Sequence, residues 1–254
     1  MNDLTPHIQK LDISIVKTFE HQLDDVMEII DNDKLKVKLK EVENDFSAEA
    51  SEINHVRKGI IYHETALNLS FFSKTEYKGY AHKSFYILDI LYNSSTTTKE
   101  LLLFVSSYRA SALSLISSET NNLKNLFQAF RLFDEAVKNY AKISYLPEFM
   151  RGSVAENIPK IFFWLHKYGK IDFQSIIDKF DLNNDYASNK IMSFTYWAWA
   201  KQRQNQKYAG QAIKYLELAI LLDPDYQAGR ERSEQLLKKF REKYSHTENN
   251  HPVY

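Results

Sequence analysis

The chain contains no cysteine, which excludes disulfide bonds, thiol catalysis and cysteine-ligated zinc sites. It also has only 6 glycines and 5 prolines in 254 residues, and no glycine precedes Gly59. Glycine and proline are the residues that most strongly disfavour helix interiors. Their scarcity predicts long helices joined by short turns and gives a β-rich fold little support.

An excess of charge of one sign is also missing, because 33 Lys and Arg residues balance 33 Asp and Glu residues. No overall electrostatic field therefore attracts nucleic acid or an anionic membrane, and nucleic-acid binding is not expected. Net charge does not decide whether a local charged patch exists.

Long hydrophobic runs are absent as well. The strongest apolar stretches, residues 101–105 and 161–165, are far shorter than the roughly 20 residues that cross a bilayer. The first residues include acidic side chains and no uninterrupted apolar core, so they do not resemble an export signal. We therefore expect a soluble, cytoplasmic protein without a membrane span.

Motifs for metal, cofactor or phosphate chemistry are not found. Glu52 and His55 have the Glu-x-x-His spacing of helical di-iron sites, but such a site needs a second pair and the chain has none. His63 and Glu64 lack the second histidine of a zinc-protease helix. No Gly-rich phosphate loop exists. The sequence predicts no metal, no cofactor and no catalytic residue.

Apolar and aromatic residues, by contrast, are abundant, at 44% and 14% of the chain, so the body is expected to fold. Apolar residues spaced three and four apart predict two helices between residues 10 and 50. The alternation over 35–39 also suits a strand, but its continuation favours a helix. Each stripe is too short for a coiled coil, and we expect packing on the helices that follow. The two stripes are Val16, Phe19, Leu23, Val26 and Ile30, then Leu35, Leu39, Val42 and Phe46.

From residue 53 onward, an aromatic residue recurs at intervals of 41 to 47 residues and is followed, three and four residues later, by packing residues. Small residues let two antiparallel helices approach closely, while the aromatic ring fills the space beside them. Each group, termed an anchor, predicts the first helix of a pair. The anchors are Tyr62 with Thr65 and Ala66, Tyr108 with Ser111 and Ala112, Phe149 with Gly152 and Ser153, and Tyr196 with Trp199 and Ala200.

A second amphipathic helix is predicted after each anchor. In the second and fourth pairs this helix contains an alanine and, four residues later, an aromatic residue or leucine. Another alanine follows three residues after that. The anchor spacing exceeds the roughly 34 residues of the standard tetratricopeptide unit, so loops or helices must be extended. The second-helix residues are Ala81, Phe85 and Leu88; Ala129, Phe133 and Ala136; Phe173, Ile177 and Phe180; and Ala212, Leu216 and Ala219.

Turn-forming residues separate these pairs. Threonines at 96–98 precede Glu100 as at a helix N-terminus, Pro147 opens the third pair, and Asp223 with Pro224 closes the fourth. Residues 226–244 carry charges on most faces and one apolar edge, which suits a capping helix with one face in water. Residues 245–254 are polar, and a flexible tail is predicted there.

These spacings resemble the tetratricopeptide-repeat superfamily. The resemblance is good over residues 192–225, moderate over 104–141 and weak in the first and third pairs. Arg203 stands where the family usually has an aromatic residue, and Ala141 stands where it has proline. The resemblance implies an all-α, right-handed α-solenoid of antiparallel helix pairs that binds peptides or protein helices in its concave groove.

In that family the groove is lined mainly by the first helix of each pair. Carried over to this chain, the groove positions predict a binding site made of His63, Arg109, Met150, Phe194, Trp197 and Lys201. An aromatic ring, a methionine and two cations suit an amphipathic or acid-tipped peptide. Where some members place carboxylate-clamping asparagines, this chain has Leu67 and Leu113, so that clamp is not predicted. Of two neighbouring tryptophans, we expect Trp199 inside.

The predicted organisation is an N-terminal helical extension over 1–52, helix pairs over about 53–93, 97–141, 145–181 and 185–224, a cap over 226–244 and a tail over 245–254. The predicted function is a non-catalytic scaffold or adaptor for a protein or peptide partner, with homo-oligomer formation left open. The alternatives are a structural subunit that self-associates through its N-terminal helices and, less favoured, a helical enzyme with a cryptic metal or ligand site.

Overall fold

The computed structural model describes residues 11–69, 73 and 75–244. Within these residues the protein has eleven α-helices and no strand, which confirms the all-α fold class. The predicted tail over 245–254 and the first part of the predicted extension, residues 1–10, lie outside this range. The helices are α1 (Ile13–Leu23), α2 (Asn32–Ala48), α3 (Glu52–Asn68), α4 (Tyr80–Asn93), α5 (Leu102–Thr120), α6 (Leu123–Tyr140), α7 (Leu146–Asn157), α8 (His166–Leu182), α9 (Asn189–Lys201), α10 (Ala209–Leu222) and α11 (Arg230–Tyr244).

Polar caps mark where several helices begin. Asp12, Asp31 and Asn122 each accept a backbone N–H from the first turn of the helix that follows, and Ser51 and Ser188 do the same for α3 and α9. These short side chains satisfy N–H groups that have no partner inside the helix. Local sequence therefore explains these starts, including the helix over the alternating segment 35–39.

The start of α5 differs from the prediction. The threonines at 96–98 do not cap it; the helix begins at Leu102 after a turn and has no side-chain cap. Thr98 instead donates its backbone N–H and its hydroxyl to the Glu52 carboxylate, at 2.6 and 2.7 Å. This contact, which joins residues 46 positions apart in the chain, directs the threonine away from the helix.

The chain divides into two compact units, with the division between Met150 and Arg151, inside α7. In the first unit α2 packs on α3, α3 on α4, α4 on α5, and α5 on α6, while α3 also contacts α5. The second N-terminal stripe, on α2, is thus packed on α3 as expected, whereas the first stripe meets α3 around Val26 and leaves Ile30 43% exposed. The centre of this unit contains small and medium side chains from four helices, which are Ala66, Ala81, Leu113, Ile116 and Ala129.

The α3–α4 pair shows why a small residue is needed at such a crossing. A Cβ atom on Gly59 would lie 2.6 Å from Cδ2 of Leu88, which is fully buried. The same close approach lets the Ser84 hydroxyl donate to the Gly59 carbonyl oxygen at 2.7 Å. Absence of a side chain at residue 59 therefore sets the distance between these two helices.

In the second unit, α8 packs on α9, α9 on α10, and α10 on α11, while α11 also contacts α9. Ala212, Leu216 and Ala219 of α10 are fully buried, as the spacing predicts. The Ser193 hydroxyl of α9 donates to the Ala219 carbonyl oxygen at 2.8 Å, which requires close helices.

Trp199 is buried in this second unit, which confirms the expectation that it is the inner of the two tryptophans. Its indole N–H donates to Gln174 at 2.6 Å, and its ring meets Tyr215 edge to face at 4.8 Å. Arg203 lies with its guanidinium carbon 4.3 Å from the Trp199 ring centre. Arg203 thus covers the Trp199 ring by a cation–π contact.

None of the helices in the described part of the chain combines the length and the apolar character that a bilayer-crossing segment requires.

Candidate functional site

Three of the predicted site residues lie on one face of α9. Phe194, Trp197 and Lys201 follow one another at spacings of three and four, so they project from the same side of the helix. The intervening Tyr196 and Trp199 are buried on the other side. The anchor residues therefore hold α9 in the unit, and this leaves the remaining face partly exposed.

Trp197 is the centre of this face. Its ring centre lies 5.5 Å from the Phe194 ring, 5.0 Å from Nζ of Lys201 and 4.4 Å from the guanidinium carbon of Arg232. Two cations therefore lie within cation–π distance of one indole ring. We call these four residues the Trp197 surface.

Arg232 reaches this surface from α11 because of the turn that precedes the helix. The buried carboxylate of Asp223 accepts backbone N–H groups from Gln227, Ala228 and Arg230 at 2.6, 2.9 and 2.9 Å. Gly229 then adopts a φ of 83°, a conformation that favours glycine, and a Cβ atom there would collide with the Arg232 guanidinium. The turn thus fixes where α11 begins and leaves space for Arg232.

The Arg232 guanidinium carries its charge without a neutralising partner. It donates to the Ala228 carbonyl oxygen at 2.9 Å, and no carboxylate in the described residues forms an ion pair with it. Partial burial of the guanidinium lowers the pKa of Arg232, against a smaller opposing effect of Asp223. Because arginine starts from a very high pKa, the group remains a cation at neutral pH. It is therefore the strongest candidate on this surface for binding an anion.

Lys201, by contrast, already has a carboxylate partner. Its Nζ lies 2.8 Å from Oε1 of Glu156 on α7, and the other oxygen of Glu156 accepts from the Gln202 side chain at 2.6 Å. Lys201 and Glu156 are both partly exposed, so this is a surface ion pair worth at most about 1 kcal/mol. A stronger anionic ligand can exchange with Glu156 at modest cost.

The indole N–H of Trp197 has no acceptor within the described part of the protein, although the ring is half-buried. The surface therefore offers a ring face, a free N–H donor and a cation with unused donors. Such a set binds a side chain or chain end that combines an apolar group with a carboxylate or another anion.

The structure places Arg109 of the first unit in a different role from the predicted one. Its guanidinium donates to Asp89 at 2.6 and 2.7 Å, and its central carbon lies 4.3 Å from the Tyr92 ring. The Tyr92 hydroxyl in turn donates to Glu135 at 2.8 Å. Arg109 thus joins α4 to α5 and α6, with little of its charge available to a ligand.

His63 is 1% exposed and also belongs to the interior of the first unit. Its Nε2 lies 2.7 Å from the Ser111 hydroxyl, its Nδ1 lies 3.2 Å from Glu64, and its ring meets Tyr108 edge to face at 5.0 Å. Burial raises the pKa of the Tyr108 hydroxyl well above its usual value. Both ring nitrogens of His63 have partners inside the protein, so His63 offers no accessible group to a peptide.

Met150, the last predicted site residue, is buried in α7. The structure therefore brings Phe194, Trp197 and Lys201 together on an accessible face and leaves His63 and Met150 inside. His63 and Met150 are enclosed by the surrounding side chains, whereas the α9 face is covered only in part, by contacts with Arg232 and Glu156.

Sequence reasoning missed Arg232 and Glu156. The charge pattern of residues 226–244 predicts only a cap, and no groove position of the related repeats falls in that helix. The signal that could identify Arg232 is the order of three residues in the sequence. Asp223, whose carboxylate accepts backbone N–H groups, and Gly229, which has a positive φ, both precede the cation Arg232. Glu156 is identified only by its distance to Lys201.

Glu52 and His55, which have the spacing of half a di-iron motif, form hydrogen bonds with other residues. Glu52 accepts from Thr98, and Nδ1 of His55 lies 2.9 Å from the Ser51 carbonyl oxygen. Across the residues with described positions, no group of three or more His, Asp or Glu side chains is arranged to hold a metal ion.

Comparison of the chain with protein-family models, with curated proteins and with solved structures gives no match.

Proposed function

We propose that this protein is a non-catalytic, tetratricopeptide-like scaffold whose Trp197 surface binds a peptide or protein segment with an anionic group beside an apolar side chain. In this proposal the helix pairs form a right-handed α-solenoid, and α9 together with the capping helix α11 supplies the binding face. A cytoplasmic location belongs to the same proposal.

The packing order of the helices supports the repeat architecture. Neighbouring helices from α2 to α6 and from α8 to α11 pack on one another. Contacts also skip one helix, between α3 and α5 in one unit and between α9 and the capping helix α11 in the other. Contacts between neighbours and next-but-one neighbours are what a stack of helix pairs produces.

The observation that carries the binding function is the Trp197 ring between two basic side chains. Interface residues that dominate binding energies are enriched in Trp and Arg, and here the two lie 4.4 Å apart on an accessible face. They lie at the edge of the unit, whereas Tyr196 and Trp199 form the aromatic contacts with α10. Their accessible surface is therefore available to a partner.

A selection of random peptides displayed on phage tests this proposal directly, with the full chain as bait. We expect the enriched peptides to share an Asp, a Glu or a free C-terminus next to an aromatic or aliphatic residue. Titration of a synthetic copy should quench or shift tryptophan emission. Trp197→Ala should weaken binding about 30-fold and Arg232→Ala about tenfold, as for residues at the centre of an interface.

Two matched variants serve as controls for these substitutions. Trp164→Ala removes another exposed tryptophan, and Arg241→Ala removes another arginine of α11, which is paired with Glu217. Both should bind the peptide like the wild-type protein. Failure to enrich any peptide, or binding that neither Trp197→Ala nor Arg232→Ala weakens, would sink the proposal.

The alternative of self-association through the N-terminal helices has a structural constraint. Arg57 of α3 donates to Asp25 at 2.6 and 2.8 Å, and Tyr62 donates to Glu43 of α2 at 2.9 Å. These contacts commit one side of the N-terminal segment to its own unit. We therefore favour the binding scaffold, and sedimentation of the full chain measures any self-association.

A further inference from the structure

The turn between α7 and α8 exposes large apolar side chains. Ile161 and Phe163 are each 73% exposed, and Trp164 is 44% exposed. Three such side chains in four consecutive positions form an apolar patch, whereas single exposed apolar residues are ordinary on a protein surface. We call residues 160–164 the aromatic turn.

The aromatic turn has a defined backbone and is held at its base. It is a short 3-10 helix, Lys160–Phe162, in which the Phe162 N–H donates to the Pro159 carbonyl oxygen at 3.0 Å. The N–H of buried Leu165 then donates to the Phe162 carbonyl oxygen at 2.8 Å. The turn therefore presents its side chains in a preformed shape, and binding does not have to order it.

The rings of the turn also support one another. Trp164 meets the rings of Phe162 and Phe163 edge to face, with centroid distances of 5.7 and 5.4 Å. This geometry is favourable for aromatic pairs and keeps the three rings in one cluster. The cluster projects from the loop as a ridge, since Ile161 and Phe163 both have most of their surface in solvent.

Basic residues flank this ridge in the chain. Lys160, Lys167 and Lys170 are exposed, and none of them forms an ion pair within the described residues. The sequence has no Asp or Glu from residue 157 to residue 171. The nearest carboxylates on either side, Glu156 and Asp172, are paired with Lys201 and Arg151. The charged side chains of the segment around the aromatic turn are therefore all lysines.

We infer that the aromatic turn docks the protein on a lipid bilayer that contains anionic headgroups. Tryptophan and phenylalanine side chains partition into the membrane–water interface, and lysines beside them contact the headgroup phosphates. An uncharged apolar patch would fit many protein surfaces, but an exposed apolar ridge in a segment whose charged side chains are lysines without an ion pair is complementary to an anionic bilayer. The protein binds at the surface and does not cross it.

The two contributions act together, because neither is large alone. Each lysine near an anionic surface strengthens membrane binding about fivefold, which corresponds to about 1 kcal/mol, and this part is screened by salt. The apolar side chains add binding that does not depend on salt. Binding should therefore need both anionic lipid and the apolar ridge, and should weaken as the salt concentration rises.

Vesicle sedimentation tests the inference with the full chain. We expect binding to vesicles of phosphatidylcholine with phosphatidylserine, and at least tenfold weaker binding to vesicles of phosphatidylcholine alone. Ile161→Ser/Phe163→Ser should reduce binding to the anionic vesicles at least tenfold. Both residues are largely exposed, so this variant should fold like the wild-type protein.

Matched controls come from the same unit. Leu182→Ser/Leu221→Ser removes two other exposed apolar side chains, 89% and 72% exposed, and should leave vesicle binding unchanged. Lys160→Gln/Lys167→Gln/Lys170→Gln should weaken binding at least tenfold, whereas Lys214→Gln/Lys238→Gln/Lys239→Gln removes as many exposed lysines from other places and should not.

Insertion is measured separately with lipids that carry brominated acyl chains, which quench nearby tryptophan. We expect quenching of wild-type emission and its loss in Trp164→Phe. The inference is overturned if the protein ignores anionic vesicles, if the two serine variants bind them equally well, or if no emission is quenched. Self-association that disappears in Ile161→Ser/Phe163→Ser, without vesicle binding, would assign the turn to a protein interface instead.

Discussion

Arg151 and Asp172 form the most deeply buried ion pair in the second unit. The guanidinium donates to both carboxylate oxygens, at 2.6 and 2.9 Å, and lies over the Tyr168 ring at 4.4 Å. Both side chains are nearly inaccessible to water. Removing one partner therefore breaks a charge-assisted contact in a site that water hardly reaches.

We predict that Arg151→Met or Asp172→Asn lowers the free energy of unfolding by roughly 3–5 kcal/mol, measured by urea denaturation. Replacement of both, Arg151→Met/Asp172→Leu, should recover part of the loss because both charges of this pair are removed together. A double variant as unstable as the two single changes combined would contradict this account.

The hydroxyl of the single residue Tyr92 makes the stability of the protein depend on pH. Burial, followed by the hydrogen bond to Glu135, raises the pKa of its hydroxyl to about 12, above the value of about 10 in an unfolded chain. The folded state therefore keeps this proton more tightly. The stabilisation that the protonated Tyr92 hydroxyl gives the folded state is therefore complete below pH 10 and decreases as the pH rises toward 12.

The change Tyr92→Phe keeps the ring over Arg109 and removes only the hydroxyl. We expect the wild-type protein to be more stable than the variant at pH 8, and the difference to shrink at pH 11. Urea denaturation of both proteins at the two pH values measures this difference, in which the titration of other groups cancels. A difference that stays constant would show that the hydroxyl has no raised pKa.

At the scale of helices, the α3–α4 crossing depends on Gly59. We predict that Gly59→Ala destabilises the protein by about 1–2 kcal/mol, because strain against Leu88 exceeds the gain in helix propensity. Thermal and urea unfolding measure the effect. In a double-mutant cycle, Leu88→Ala should cost less when Gly59→Ala is present, since the new methyl fills part of the space.

Gly210 is the matched control for this prediction. It lies in α10, and no neighbouring side chain or helix comes within 4 Å of the position that a Cβ atom would take there. Gly210→Ala should therefore stabilise the protein by up to about 1 kcal/mol. If both alanine variants change stability in the same direction, then backbone propensity and not helix contact governs Gly59.

At the scale of the whole molecule, we predict that peptide binding and membrane docking are separable. The Trp197 surface and the aromatic turn share no residue, so Trp197→Ala should bind anionic vesicles normally. Ile161→Ser/Phe163→Ser should likewise bind the selected peptide normally. Sedimentation with vesicles and fluorescence titration on the same two variants measure both activities. Loss of both in either variant would indicate a single shared site or misfolding.

Much of the fold was predictable because its signals are local. Apolar spacing in the segment 35–46 favours α2 over a strand, and buried Ala212 and Ala219 follow from their spacing alone. Trp199 could be placed inside because only one of two neighbouring tryptophans can face the interior. The candidate site was less predictable: Phe194, Trp197 and Lys201 share a face through helix periodicity, but their accessibility depends on which helices lie opposite.

By itself, then, the sequence determined the helical character, because the scarcity of glycine and proline and the three-four spacing act within a few residues of the chain. Only the tertiary structure decided that Arg109 pairs with Asp89, that His63 lies against Ser111, and that Arg232 reaches Trp197. These partners are 20, 48 and 35 positions apart, and the way in which helices cross determines which distant side chains meet.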